Sequence, residues 1–104
     1  LAGKGARVGA VARRRELLDE LVREVRAAGG TIEAATADVG DRPAVGAAVR
    51  DLAGKLGPVD LLVANAGVGK PSGADPATVP NTELMLRVNF LGVVYAFEAA
   101  LPAM

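Results

Sequence analysis

Hydrophobic positions along the chain alternate between two periods. Arg7-Val8-Gly9-Ala10-Val11-Ala12 is a short, largely apolar run between Gly5 and the basic triplet Arg13-Arg14-Arg15, the pattern of a buried strand. Leu17, Leu21, Val25 and Ala28 then fall on helical spacing, with Leu18 and Val22 widening the stripe, until Gly29-Gly30 stops the helix. Asp19 stands four residues before Arg23, a helix-supporting pair. A second strand is predicted from Thr31 to Ala37, ending at Asp38-Val39. Asp41 is placed to cap a second helix, and Pro43 sits in its first turn, where a missing N–H costs little. Val45, Val49, Leu52 and Leu56 form that helix's apolar stripe, and Gly57-Pro58 closes it. Val59-Asp60-Leu61-Leu62-Val63 reads as a third strand, apolar on both faces. A loop rich in Gly, Pro and Ser covers Ala66 to Pro80. A last helix is predicted from Asn81 to Ala100, with Leu84, Val88, Leu91 and Tyr95 on one side.

Strands apolar on both faces and joined by helices imply an α/β fold, a doubly wound parallel sheet covered on both sides. Such sheets bind ligands beyond the carboxyl ends of their strands. Three places therefore carry the candidate chemistry: Ala12-Arg13, Asp38-Val39 and Ala64-Asn65-Ala66-Gly67.

Composition narrows the field. The 104 residues suit one domain or part of a larger one, and 51% of them are hydrophobic, too many for a disordered chain. No apolar run approaches the ~20 residues of a membrane span. Twelve basic and twelve acidic residues cancel, which removes the electrostatic footprint of a nucleic-acid binder. One Tyr and two Phe offer no stacking platform for bases. Without Cys or His the chain can build no disulfide, no zinc site and no His-based triad. The lack of Cys fits a reducing compartment, and a cytoplasmic location is the expectation.

At the strand ends, Arg13 can grip a phosphate through paired, charge-assisted hydrogen bonds, or it can belong with Arg14 and Arg15 to a solvated helix start. An acid that would hold a ribose diol is absent, because Ala12 occupies that place. Asp38 can accept a hydrogen bond from an exocyclic amine such as that of adenine, or cap the following helix. The small residues of Asn65-Ala66-Gly67 permit close approach of a ligand to the backbone, or make an ordinary turn. Asn89, set among apolar residues in the last helix, requires a partner for its amide, a water or a local kink, unless it sits at a helix edge. Gly67-Val68-Gly69-Lys70-Pro71-Ser72 is not a P-loop, because Ala64 and Pro71 replace the required Gly and Ser/Thr.

Taken together, Val11-Ala12-Arg13-Arg14, Ala37-Asp38-Val39, Ala64-Asn65-Ala66-Gly67 and Val88-Asn89-Phe90-Leu91-Gly92 resemble motifs of the short-chain dehydrogenase/reductase family, in family order and across essentially the whole chain. The resemblance implies a partial NAD(P)-binding Rossmann domain over residues 1–104, a fragment lacking the first strand and the C-terminal half. It implies that Arg13, assisted by Arg14, binds the 2′-phosphate of NADP, with NAD the lesser cofactor. Asp38 and the backbone of Val39 would hold the adenine, and Asn65, Ala66 and Gly67 would line the ribose side. Asn89 would be the Asn of the catalytic tetrad, holding a water of the proton relay. No metal is implied, and the last helix would join two subunits of a homo-oligomer.

This chain departs from the family at Ala64, which replaces the first Asn of a motif. The family's glycine turn would precede Leu1, and its catalytic Ser and Tyr-x-x-x-Lys would follow Met104. Tyr95 does not substitute, because Ala99 stands where the Lys belongs. The strands at Arg7–Ala12 and Val59–Val63 would therefore face a gap, and the isolated chain is expected to be marginal or rearranged and inactive. The activity implied for the complete protein is interconversion of a small-molecule alcohol and carbonyl by hydride transfer. The competing readings are a non-catalytic dinucleotide-binding relative and, less well matched, a signalling receiver. The receiver would need an acidic cluster that the strand ends lack.

Overall fold

The chain is described by a computed structural model covering residues 2–70 and 75–104. Pro71 and Ser72, the end of the dismissed P-loop lead, lie outside the described residues. A 3-10 turn at Ala2–Lys4 leads into strand β1 (Arg7–Ala12), helix α1 (Arg15–Ala27), strand β2 (Thr31–Thr36) and helix α2 (Arg42–Leu56). A short 3-10 turn at Pro76–Thr78 precedes helix α3 (Val79–Leu86), a π-helical turn (Arg87–Leu91) and helix α4 (Gly92–Ala100).

β1 and β2 pair in parallel, with Arg7 opposite Thr31 and Ala12 opposite Thr36, and α1 makes the crossover between them. Both strands are rich in small residues, and this sets how closely helices approach. A Cβ on Gly9 would stand 3.1 Å from Leu52 Cδ1, so the bare Cα of β1 is the seat for α2. Side chains alternate along a strand, which leaves Val8 and its partner Ile32 for the other face. Ile32 is buried there, and α1 packs on β2 and β1. The core gathers Leu18, Ile32, Val45, Ala48, Leu52, Val88 and Ala100 from every layer. No helix among the described residues is long and apolar enough to cross a membrane.

The helix ends follow their sequence signals. Asp41 takes the extended conformation of an N-cap and accepts a hydrogen bond from the Ala44 N–H at 3.2 Å, with Pro43 in the first turn. Gly29 and Gly57 close α1 and α2 at φ +86° and +94°, where a side chain would be strained.

Four expectations are corrected. Asp19 pairs with Arg15, one helical turn before it, at 3.1 Å and not with Arg23, one turn after it. Leu18 forms the centre of the buried stripe of α1, while Leu17 and Leu21 lie at its exposed margin. The last helix begins two residues early and is broken by the π turn. That turn rotates the buried face onto Val88, Gly92 and Ala100 and leaves Leu91 exposed. Val59–Val63 forms no strand, and Leu61 and Val63 are 62% and 63% exposed. A strand exists only through its ladder, and the sheet among the described residues has two strands, neither paired to this segment. A cavity of about 600 Å³ separates the two walls, lined by Val8 and Val11 on one side and by Val59 to Ala66 on the other. The expected gap is therefore present, and the segment across it is unpaired.

One ion pair ties α2 to α4. Arg42 Nε and a terminal Arg42 nitrogen donate to the two Glu98 carboxylate oxygens at 2.8 and 2.6 Å. These hydrogen bonds, reinforced by charge, hold the Glu98 carboxyl below the usual glutamate range and raise the Arg42 guanidinium.

Two outcomes follow. Asp41→Ala lowers the unfolding free energy by about 1 kcal/mol, measured by urea titration. A carboxyl with a depressed folded pKa stabilises fully above its unfolded pKa, and that contribution is lost as pH falls through the folded value. Stability should therefore decline on the acid side of the glutamate range, and Glu98→Gln should flatten that part of the pH profile.

Candidate functional site

The carboxyl ends of β1 and β2 lie side by side. The Ala37 N–H donates to the Ala12 carbonyl at 3.1 Å, one residue past the ladder, so the chain leaves both strands at one rim. β1 continues into Arg13 and Arg14, both exposed. Arg14 is extended, with φ −92° and ψ 106°, and its carbonyl accepts the Leu18 N–H at 3.2 Å to start α1. Arg15 is held by Asp19, whereas Arg13 and Arg14 form no ion pair among the described residues. Two cations are therefore left at the rim with no carboxylate to neutralise them.

β2 continues into Asp38. Its Oδ1 accepts the Gly40 N–H at 2.9 Å and its carbonyl accepts the Asp41 N–H at 2.9 Å, which folds residues 38–41 into a tight turn. Asp38 is not the cap of α2, since Asp41 fills that place. Asp38 Oδ2 carries no hydrogen bond among the described residues and remains an exposed acceptor.

The last helix meets this rim at two points. At Gly92 a Cβ would stand 3.1 Å from Val39 Cγ2 and 3.2 Å from the Val39 carbonyl, so the helix rests directly on the residue after Asp38. At Asn89 the side chain clasps the backbone of one residue of the opposite loop. The Val68 N–H donates to Asn89 Oδ1 at 2.8 Å, and Asn89 Nδ2 donates to the Val68 carbonyl at 2.8 Å. Asn89 lies in the middle of the π turn. Such turns add a residue to a helix and occur often at functional sites. The partner and local kink that Asn89 requires on sequence grounds are thus both present. Gly67 sits against the clasp, where a Cβ would be 3.4 Å from Asn89 Oδ1.

The cavity beside β1 is bordered by Val11, Val39, Asn65, Ala66, Val88 and Gly92. It therefore runs from the last residues of β1 and the turn after β2 to the segment at Asn65-Ala66 and the helix that carries Asn89. Two contributors escaped the sequence analysis. Gly92 carries the signal of an isolated Gly in an apolar helical run, which marks close backbone approach. Gly40 carries the Asp-x-Gly signature of a side chain turning back on its own main chain. No group of three or more carboxylates that could hold a metal ion lies among the described residues.

A family model described as short chain dehydrogenase matches residues 1–104. An uncharacterized oxidoreductase of Myxococcus xanthus is 36% identical over 104 residues, which make up 100% of this chain and 41% of that protein. A short-chain dehydrogenase/reductase from Serratia marcescens has a structure that superposes with a TM-score of 0.92 at 33% identity, covering 100% of this chain and 43% of that one. A blue fluorescent protein from a metagenomic library, solved in complex with NADPH, superposes with a TM-score of 0.89 at 30% identity, covering 99% and 43%. The chain thus spans less than half the length of these relatives.

Asn89→Ala removes both bonds of the clasp. The expected cost is about 1–3 kcal/mol of unfolding free energy, with faster amide exchange at Val68. Unchanged exchange at Val68 would show that the loop is held by something else.

Proposed function

The chain belongs to the short-chain dehydrogenase/reductase family, and on that premise we propose that the complete protein is an NADP-dependent oxidoreductase interconverting a small-molecule alcohol and a carbonyl. The observation that carries this reading is a shared rim. Unpaired cations after β1 and a free carboxylate oxygen after β2 leave the sheet side by side, and their neighbours Val11 and Val39 line one cavity with Asn65, Ala66 and Val88, the residue before the Asn89 clasp. The residues fit the adenosine half of a dinucleotide. Arg13, with Arg14 beside it, offers planar donors for a 2′-phosphate, and Ala12 places no acid there to repel it. Asp38 Oδ2 is available to the exocyclic amine of adenine, and Val39, braced on Gly92, would present its backbone to the ring. Asn65, Ala66 and Gly67 would line the ribose side with little bulk. NADP is preferred over NAD on Arg13 and Ala12, and the NADPH-bound structural neighbour supports the preference.

When bound, the dinucleotide supplies or accepts the hydride that interconverts carbonyl and alcohol. The chain's own residues bind and position. Asn89 Oδ1 and Nδ2 each make one bond to Val68, and the second Oδ1 lone pair and the second Nδ2 hydrogen are left for a relay water. Asn89 would then act by fixing the loop and the π turn together, with the proton donor supplied from elsewhere in the complete protein.

The last helix carries the proposed contact with a second copy. Leu86, Phe90, Val94 and Phe97 along it, and Leu101 just after it, are exposed apolar side chains. Apolar exposure concentrated on one element in this way supports an interaction surface. A homo-oligomer through this face and a cytoplasmic location complete the reading.

The test is Arg13→Ala in the complete protein, read by equilibrium titration with each cofactor. Loss of charge-assisted bonds to a phosphate should weaken NADPH about 10- to 100-fold and NADH little. Equal losses for both would overturn the phosphate assignment.

A further inference from the structure

Gly40 and Arg87 meet at the strand end that carries Asp38. A Cβ on Gly40 would stand 2.8 Å from Arg87 Cγ, 3.0 Å from Arg87 Cδ and 3.4 Å from Asp38 Oδ1. The methylenes of Arg87 therefore lie across a bare Cα, in the space that a side chain at position 40 would fill. The backbone does not require glycine here, since the glycines with positive φ are Gly5, Gly29 and Gly57. It is the Arg87 stem that requires it.

The fold makes no other use of the guanidinium. Arg15, Arg26 and Arg42 each find a carboxylate, whereas Arg87 forms no ion pair or side-chain hydrogen bond among the described residues. Ordering a long side chain costs rotamer freedom, and packing of the stem leaves the charged end exposed and unused. The position of Arg87 is nevertheless well determined. It opens the π turn, two residues before the Asn89 clasp.

We propose that Arg87 is a further cofactor-binding residue, whose guanidinium lies over the face of the adenine base, and that Gly40 is the notch that seats its stem. This inference rests on the dinucleotide reading of the rim. Asp38 Oδ2 addresses the edge of the base, and Arg87 addresses its π face, so the two contacts are perpendicular and compatible. A planar guanidinium both stacks on such a face and is attracted to it by charge. Asp38 lies beyond ion-pair distance of Arg87, so neither group neutralises the other.

The experiment titrates the complete protein with NADPH, NADH and reduced nicotinamide mononucleotide, which lacks the adenosine half. Arg87→Met keeps the stem and removes the charge. Gly40→Ala keeps the charge and unseats the stem. Both variants should weaken NADPH and NADH by the same factor, about three- to tenfold, and leave the mononucleotide unchanged. Should the Met variant fail to fold, Arg87→Lys, which keeps a charge but loses the planar face, should show the same selective loss. Unaltered dinucleotide binding overturns the proposal. So does a loss confined to NADPH, which would place the guanidinium on the 2′-phosphate, and so does an equal loss for the mononucleotide, which would make the role structural. Wild-type protein that binds neither dinucleotide refutes the underlying reading instead, a result distinct from intact binding with silent variants.

Discussion

One side-chain amide and the backbone N–H and C=O of one residue determine how the last helix and the opposite loop face each other. Asn89 gives Val68 the same pair of bonds that a neighbouring strand would give, donor to acceptor and acceptor to donor. The segment before Val68 forms no ladder, so the clasp substitutes for sheet pairing where the sheet itself ends. The π turn is the accommodation the helix makes for it. An asparagine on a regular α-helical turn would continue the packing stripe, whereas the added residue lets Asn89 reach sideways while Val88 stays in the core.

Small residues do the rest of the positioning. Gly9 admits Leu52, Gly92 admits Val39 and Gly40 admits Arg87. Each close approach brings a helix or a long side chain against a strand or a strand end, and two of the three border Asp38 and Val39. The rim is consequently built from absences of side chains as much as from polar groups. The chemistry-bearing atoms, Asp38 Oδ2 and the guanidinium groups of Arg13 and Arg14, project from a tightly packed base.

Much of this was legible from sequence, and the failures have physical causes. β1, β2 and the two helices that follow them were readable because each has its own punctuation: Gly29, Gly57, the Asp41 cap. The candidate residues at the rim were readable because strand ends are where a parallel sheet offers groups to a ligand. Val59–Val63 has the composition of a strand but not the partner, and composition alone cannot supply hydrogen bonds. The face of the last helix was misjudged because a periodicity of 3.6 assumes an uninterrupted helix, and Asn89 breaks that assumption. Arg87 and Gly40 were invisible because they are 47 residues apart in sequence and neither is unusual alone. Only their contact makes them informative.

The last helix is fastened at its two ends by different chemistry. Toward its start the ties are the neutral Asn89–Val68 clasp and the packing of Gly92 on Val39, and toward its end the tie is the exposed Arg42–Glu98 pair. Dissolved electrolyte separates the two. Screening over roughly 10 Å at 0.1 M ionic strength weakens attraction between exposed charges and leaves neutral hydrogen bonds and close packing almost untouched. Added salt therefore weakens the Arg42–Glu98 tie and leaves that end to the packing of buried Ala100, while the segment holding Asn89 keeps its place, so that brine and fresh buffer would find the rim equally well formed.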